Sequence, residues 1–220
     1  MKPEQTWYDG RALAESARTL AWRYAVGAAP FARNVNLNAD DNYLYQLGQL
    51  LRDAPNVTIE PSTRPAISTT MREIRGADLK ERRDIYIERR IADQQQWYTR
   101  KAKWNSHRAL YWKTALLTAE VVGVVTILLR AADIIAIDLV GVVATAVGTG
   151  AAWLAVKQHD SLSRAYAFAA NELGIVRGRL ELIDDEEPWA GEAADAEEAI
   201  SREHTMWRAS RSTIRSVPPR

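Results

Sequence analysis

The sequence predicts an all-α membrane protein: a hairpin of two transmembrane helices, a long cytoplasmic helical stalk and further cytoplasmic helices. Three observations predict this fold. Two apolar runs follow each other between Lys113 and Lys157, basic residues crowd the approach to the first run, and apolar residues recur at helical spacing in the rest of the 220-residue chain. The alternative is a buried hairpin in a soluble protein, which would not require these basic flanks.

The overall composition argues against several classes of function. The chain has 29 Lys and Arg residues against 28 Asp and Glu residues, a balance that argues against nucleic-acid binding through phosphate neutralisation. It has no cysteine, which excludes disulfides and thiolate metal sites, and only three histidines. Motifs for phosphate loops, zinc hydrolases and serine hydrolases do not occur. We therefore expect no catalytic residue, metal site or cofactor, and no enzymatic activity.

Residues 1–67 are predicted to form an N-terminal cytoplasmic helical region. The first helix covers about residues 5–26, with an apolar stripe at i, i+4, i+7 and i+11 that begins at Leu13. A second helix is expected over residues 41–52, capped by Asp40 or Asp41. Three prolines between residues 53 and 65 indicate a loop.

Residues 68–183 form the predicted two-transmembrane core. Apart from a weak point at Gly76, the helical pattern is continuous, and a single helix over 78–131 would be about 80 Å long at ~1.5 Å per residue. One face of this stalk is predicted to pair with another helix. It consists of Ile87, Ile91, Gln94, Tyr98, Ala102, Asn105, Ala109 and Trp112. The helix expected over residues 158–183 is a candidate to return antiparallel along it.

The two spans are predicted at about residues 112–132 and 139–156. The second run is 18 residues long and uncharged, and between residues 115 and 129 the first contains the single charge of Glu120. A transmembrane helix needs ~20 mainly apolar residues, so both runs qualify. Residues 94–119 contain no acid, and by the positive-inside bias both termini are expected in the cytoplasm.

Residues 184–220 are predicted to be an acidic linker followed by a C-terminal helix and tail. Residues 184–198 contain eight acids together with a proline and a glycine, which is typical of a linker. A short helix is expected around residues 196–211.

Glu120 is the principal candidate for chemistry within the membrane. Ionisable groups inside a span usually face a bundle interior or water. One interpretation is a pore-facing carboxylate that favours cations, with Thr145 and Thr149 of the second span lining the same pore. In the alternative, Glu120 reaches the interface or pairs with Lys113, seven residues earlier and on nearly the same face.

A stripe of small residues on the second span is predicted to pack against another helix. Such stripes let membrane helices approach closely. The stripe consists of Gly141, Ala144, Gly148 and Ala152. Its partner is either the first span of the same chain or another subunit. Since two helices cannot enclose water, a channel would require a homo-oligomer of about four or more subunits. The stalk face with Trp97, Tyr98 and Trp104 is a natural place to build it.

Two stretches of the sequence, and the two spans with them, resemble the SLATT family. The stretches are WYDGRALAESARTLAWRYAVGAAPF (residues 7–31) and YIERRIADQQQWYTRKAKWNSHRALYW (residues 86–112). The name stands for SMODS- and SLOG-associating two-transmembrane effector domain, and related proteins are called DUF4231 proteins. The resemblance covers most of residues 5–183. The matching positions are Trp7, Tyr8, Arg11, Glu15, Trp22, Tyr24, Trp97 and Tyr98. We interpret Arg11 and Glu15 as an ion pair that docks the first helix onto the stalk; the alternative is a regulatory role.

The resemblance implies an effector of bacterial antiphage or conflict systems that forms an oligomeric pore or ion channel in the inner (plasma) membrane. It further implies a trigger from a nucleotide second messenger or a partner sensor protein. The expected partners are therefore the lipid bilayer, further copies of the chain and such a trigger, but not nucleic acid. The alternative is a membrane-anchored scaffold that recruits a cytoplasmic partner through its helical stalk.

Overall fold

A computed structural model describes residues 3–33, 38–55, 57–134 and 140–213, with the side chains of residues 9–33, 38–55, 57–134 and 140–201. The elements are α1 (Pro3–Val26), α2 (Ala39–Arg52), α3 (Thr69–Gly76), α4 (Leu79–Tyr86), a π-helical segment (Ile87–Ala92), α5 (Asp93–Ala131), α6 (Val140–Lys157), α7 (His159–Glu181) and α8 (Glu186–Thr213). The described ranges are helical and contain no strand. The predicted all-α fold is confirmed.

The chain forms two compact units. The terminal unit consists of Met1–Ala92 and Ile175–Arg220, and the hairpin unit consists of Asp93–Gly174. The sequence division at residues 67 and 183 followed changes in composition. The compact units instead divide within the long helices, because α8 returns to the N-terminal helices and joins their unit.

The core of the terminal unit is built on the C-terminal half of α1. Leu20 and Tyr24, the last two positions of the predicted stripe, are buried with Phe31, Tyr43 and Ile67. The Tyr24 ring packs against the rings of Phe31 and Tyr43 at centroid distances of 5.9 and 5.0 Å. The amphipathic pattern of this helix was therefore predicted correctly.

α1 ends at a glycine and two arginines. Gly27 has φ of 72°, a conformation that costs glycine little, and the Ala28 amide donates to the Arg23 carbonyl. Arg75 Nη1 donates to the Tyr24 carbonyl at 2.8 Å and Arg82 Nη1 to the Val26 carbonyl at 2.6 Å. Cations and donors at a helix C-terminus satisfy its last carbonyls.

The predicted cap of α2 is wrong. The N-cap is Asn38, whose side chain makes no capping hydrogen bond, and Asp40 lies in the first turn. The Asp40 carboxylate instead accepts a 2.5 Å hydrogen bond from the Tyr24 hydroxyl and pairs with Arg72 at 2.7 Å. The Asp40 carboxylate therefore binds Tyr24 and Arg72 and does not cap α2.

The weak point predicted at Gly76 is a true break. α3 ends at Gly76, and α4 starts afresh with Asp78 as a cap whose carboxylate accepts from the Glu81 amide at 2.8 Å. From Leu79 to Ala131 the helix is continuous, as expected, except that residues 87–92 are π-helical.

The π-helical segment was not predicted, and its cause is the spacing of the buried side chains. They recur every fourth residue: Arg82, Tyr86, Arg90, Gln94, Tyr98 and Ala102. Each residue of an α-helix advances ~100°, so buried positions that recur every fourth residue rotate around the helix by about 40° per repeat. A π turn contains one extra residue and reverses part of this rotation.

The acidic linker expected at residues 184–198 is mostly helix. α8 begins at Glu186 and buries a stripe of Trp189, Ala190, Ala193, Ala196, Glu197 and Ile200. The Trp189 indole donates to the Val26 carbonyl at 2.8 Å, and the Ala29 amide donates to the Ala190 carbonyl at 2.8 Å. The eight acids of residues 184–198 obscured this stripe, and three of the six that lie within α8 are exposed. Pro188 is tolerated in the first turn.

Candidate functional site in the membrane hairpin

Two helices are long and apolar enough to cross a membrane. They are the helix Leu79–Ala131 and the combined helices Val140–Glu181, and 6% and 0% of their most apolar 18-residue windows are buried within the chain. A core helix of a soluble protein would be mostly buried. The apolar parts coincide with the predicted spans, so the fold fits an all-α membrane protein with two candidate spans.

The two spans pack along a seam with glycine on both sides. A Cβ built at Gly123 of α5 would lie 3.1 Å from Val143, and one built at Gly150 of α6 would lie 2.6 Å from Leu116. The absence of side chains at these two positions allows the backbones of α5 and α6 to approach closely.

The small-residue stripe lies on the opposite face of α6. Gly148 is two residues from Gly150, which places the two positions ~200° apart around the helix. Within the described residues, a Cβ at Gly141 or Gly148 would meet nothing within 4 Å. Ala144 and Ala152 are exposed as well. The first span of the same chain therefore leaves this stripe uncovered.

The three pore candidates are also exposed within the chain. Glu120, Thr145 and Thr149 carry exposed side chains, and the Thr145 hydroxyl donates to the Gly141 carbonyl at 2.8 Å. Lys113, the partner considered for Glu120, pairs with Asp160 instead. Glu120 has no ion pair within the described part of the chain.

In the hairpin unit, α7 runs back along α5, as predicted. Gln95 donates to the Ala170 carbonyl at 3.1 Å, Ser163 donates to the Ala102 carbonyl at 3.0 Å, and the side chains of Asn105 and His159 share a 2.8 Å hydrogen bond. The predicted pairing face of the stalk is confirmed. Seven of its eight residues, from Ile87 to Ala109, are buried, and Trp112 is half-buried.

The aromatic residues proposed to join subunits are largely used inside the chain. Tyr98 is buried and stacks on Tyr166 at 6.1 Å, and Trp97 meets the same ring edge-on at 5.6 Å. Trp104 contacts the ring of His159 at 5.6 Å and remains 50% exposed. α7 therefore covers much of the face on which oligomerisation was expected.

The family-motif residues of α1 dock this helix onto α4 and the π-helical segment. Trp22 meets Tyr86 edge-on at 5.8 Å, and the Glu15 carboxylate lies 3.1 Å from Arg90 Nη2. Arg11 is exposed. Glu15 thus docks α1 onto the stalk through Arg90, which the sequence interpretation did not name, and its pairing with Arg11 stays a prediction. The side chains of Trp7 and Tyr8 lie outside the described residues.

Arg90 is the centre of a buried ionic network that the sequence interpretation missed. Its guanidinium is fully buried and donates to both oxygens of the buried Glu197 at 2.9 and 2.8 Å, and the Tyr86 hydroxyl donates to the same carboxylate at 3.0 Å. The network joins α1, the π-helical segment and α8. Burial, together with Glu197, holds the pKa of Tyr86 well above its usual value.

A pocket of about 360 Å³ opens between α1, α2 and α8. Its lining combines polar, acidic and apolar side chains and one arginine: Ser16, Thr19, Leu20, Arg23, Gln46, Gln49, Leu50, Asp53, Glu198 and Ser201. Arg23 Nη2 donates to the Ala194 carbonyl at 2.9 Å, whereas its buried Nε has no hydrogen-bond partner within the described residues. The described side chains contain no cluster of three or more His, Asp or Glu residues placed to hold a metal ion.

Two family models match the chain. The model described as SMODS and SLOG-associating 2TM effector domain 1 matches residues 86–207, and the model of effector domain 3 from the same series matches residues 1–83. The matches include both stretches on which the resemblance rested. No curated protein and no solved structure matches the chain.

Proposed function

The chain belongs to the SLATT family of two-transmembrane effector domains, which are associated with bacterial conflict systems, and we propose that it is an oligomeric effector that forms a pore or ion channel in the bacterial inner membrane. The terminal unit lies in the cytoplasm. The activity of the effector would be directed against the cell in which an antiviral response has begun.

The uncovered small-residue stripe of α6 carries this proposal. The hairpin has its own seam on the opposite face, so the stripe is not needed to pair the two spans. Lipid tails gain little from contact with glycine and alanine, whereas another helix gains van der Waals contact from close approach. Gly141, Ala144, Gly148 and Ala152 are therefore the surface on which a second copy packs.

Assembly of several copies would enclose the water-filled path that one hairpin cannot enclose. Two helices cannot surround water, and about four or more copies are needed to line a pore. In such a ring, the exposed Glu120 and the hydroxyls of Thr145 and Thr149 face the water, because burying a carboxylate in lipid is costly.

The trigger acts on the terminal unit, either as a nucleotide signal or through a partner sensor. The pocket between α1, α2 and α8 is a candidate site for a small ligand, since its partly apolar wall also offers amides, hydroxyls, two carboxylates and the unsatisfied Nε of Arg23. A ligand there would touch the three helices that hold this unit together.

A pair of substitutions on α6 tests the assembly. Gly148→Leu fills the stripe and is expected to lower the oligomeric state in detergent and to abolish dye leakage from liposomes. Val142→Phe adds bulk at a position that is 67% exposed and ~120° from Gly148, and is expected to keep both properties. Size-exclusion chromatography with light scattering gives the oligomeric state.

Two results would contradict the proposal. One is a wild-type protein that remains strictly monomeric in detergent. The other is an oligomer that never releases dye or ions, including after addition of candidate nucleotides. An oligomer that leaks nothing but binds a cytoplasmic protein through the stalk would support the scaffold alternative.

A further inference from the structure

Two tryptophans, each with a cation one turn later, stand at the end of the hairpin where α6 gives way to α7. On α5, the Arg108 guanidinium lies 5.1 Å from the centre of the Trp104 ring. On α6, the Lys157 ammonium lies 4.4 Å from the centre of the Trp153 ring. Both tryptophans are about half exposed, with 50% and 47% of their surface accessible.

The two pairs converge on His159. This histidine is buried, accepts the edge-on contact of Trp104 at 5.6 Å and hydrogen-bonds Asn105 at 2.8 Å. Burial lowers its pKa, and the charges of Arg108 and Lys157 lower that pKa further, so both cations act at the same point. Lys157 is also only two residues from His159 in the chain.

The positive charge of this cluster is not neutralised. Within the described part of the chain, neither Arg108 nor Lys157 has a carboxylate partner, and the adjacent acid, Asp160, is paired with Lys113. Residues 94–119 of the stalk supply no acid at all. Two exposed cations that both act on His159 repel each other, and a bound anion would reduce this repulsion.

We propose that Arg108 and Lys157, flanked by Trp104 and Trp153, bind the phosphate of an anionic phospholipid. Tryptophan rings settle at the headgroup level of a bilayer, which places both cations at the depth of lipid phosphates. Val156, which is 75% exposed beside Trp153, offers apolar surface to an acyl chain. This site requires insertion of the hairpin into the membrane but not pore formation, so it goes beyond the proposed function.

Native mass spectrometry of the detergent-purified full chain tests the site, with phosphatidylglycerol and phosphatidylcholine as probes. The wild type is expected to retain phosphatidylglycerol preferentially. The double substitution Arg108→Gln with Lys157→Gln should weaken that binding about 25-fold, since each cation contributes about fivefold at an anionic surface.

The matched control is Arg100→Gln with Lys103→Gln, which removes the same charge from exposed positions on α5 farther from the span and should leave binding nearly unchanged. The swap Arg108→Lys with Lys157→Arg keeps the charge and should keep the preference, which guards against a folding defect.

Three results would overturn the proposal. The first is equal retention of both lipids by the wild type. The second is an equal loss in the two neutralised double variants, which would indicate general attraction to the basic stalk. The third is displacement of the lipid by equimolar glycerol 3-phosphate, which would mark the site as one for a free phosphate.

Discussion

The side chains that decide the fold of the terminal unit are charged ones. Arg90 and Glu197 are both fully buried and are joined by several hydrogen bonds, although Arg90 Nη1 has no hydrogen-bond partner within the described residues. The sequence could not identify this pair, because nothing within an acidic run distinguishes an acid that will be buried from its exposed neighbours. The available signal was the four-residue spacing of Arg82, Tyr86 and Arg90 along an otherwise apolar face.

Removing one partner of this pair should be costly. Glu197→Gln leaves the Arg90 charge buried with only Glu15, and we expect a loss of about 3–5 kcal/mol in the free energy of unfolding. The measurement is chemical unfolding in detergent followed by circular dichroism.

The control for this prediction is Arg177→Gln, which breaks the exposed 2.8 Å pair with Glu181 and should cost less than about 1 kcal/mol. Joint replacement of Arg90 by Met and Glu197 by Leu should recover much of the loss. A Glu197→Gln variant as stable as the Arg177→Gln variant would show that the network contributes little.

At the scale of elements, the amphipathic stripes were predictable and the tertiary exceptions were not. The periodicity of α1, of the stalk and of α7 fixed their buried faces, because packing follows the apolar side of a helix. The start of α2 was misjudged because Tyr24 and Arg72 take Asp40 from its local role. The C-terminal part of α8 was predicted as the helix around residues 196–211, but its N-terminal part was missed because Trp189 and Ile200 lie eleven residues apart among acids.

The contact between α1 and α2 should make stability depend on alkaline pH. Burial and the hydrogen bond to Asp40 raise the pKa of Tyr24 to about 12. Between pH ~10 and ~12 an unfolded chain loses this proton while the folded protein keeps it, so stability falls by up to about 3 kcal/mol as pH rises. Below pH ~10 the contribution is constant.

The test of this pH dependence is Tyr24→Phe. It should lower the stability near neutral pH by about 1 kcal/mol and reduce the alkaline fall. The raised pKa values of Tyr43 and Tyr86 leave some of the fall in place. Thermal unfolding from pH 8.5 to 11.5 measures it, with the exposed Tyr45→Phe as control. An identical alkaline fall in both variants would refute the role of Tyr24.

At the scale of the whole molecule, the site is incomplete in one chain. Within the described residues, the hairpin seam is settled by Gly123 and Gly150, whereas Glu120 and the two threonines remain exposed and separate. Sequence reasoning predicted the spans because length and apolarity suffice for that. It could not say which small residues pair the two spans, because two faces of α6 contain glycine and the sequence does not distinguish between them.

The proposed assembly predicts that Glu120→Gln alters ion selectivity. Loss of a carboxylate from the pore wall should shift the reversal potential of planar-bilayer currents under a salt gradient towards weaker cation preference. Asp133→Asn removes an equal charge from the loop that follows α5 and should produce a smaller shift. Unchanged reversal potentials in Glu120→Gln would rule out a pore-facing carboxylate.

The terminal unit is discontinuous in the chain, and this imposes an order on biosynthesis. Val26, Arg82 and Arg90 all receive partners from α8, which leaves the ribosome only after both spans have been made. Domains usually fold from the N-terminus as they emerge. Here the partners of Val26, Arg82 and Arg90 are missing until α8 has been made, so the terminal unit is completed only on a chain that already contains both candidate spans.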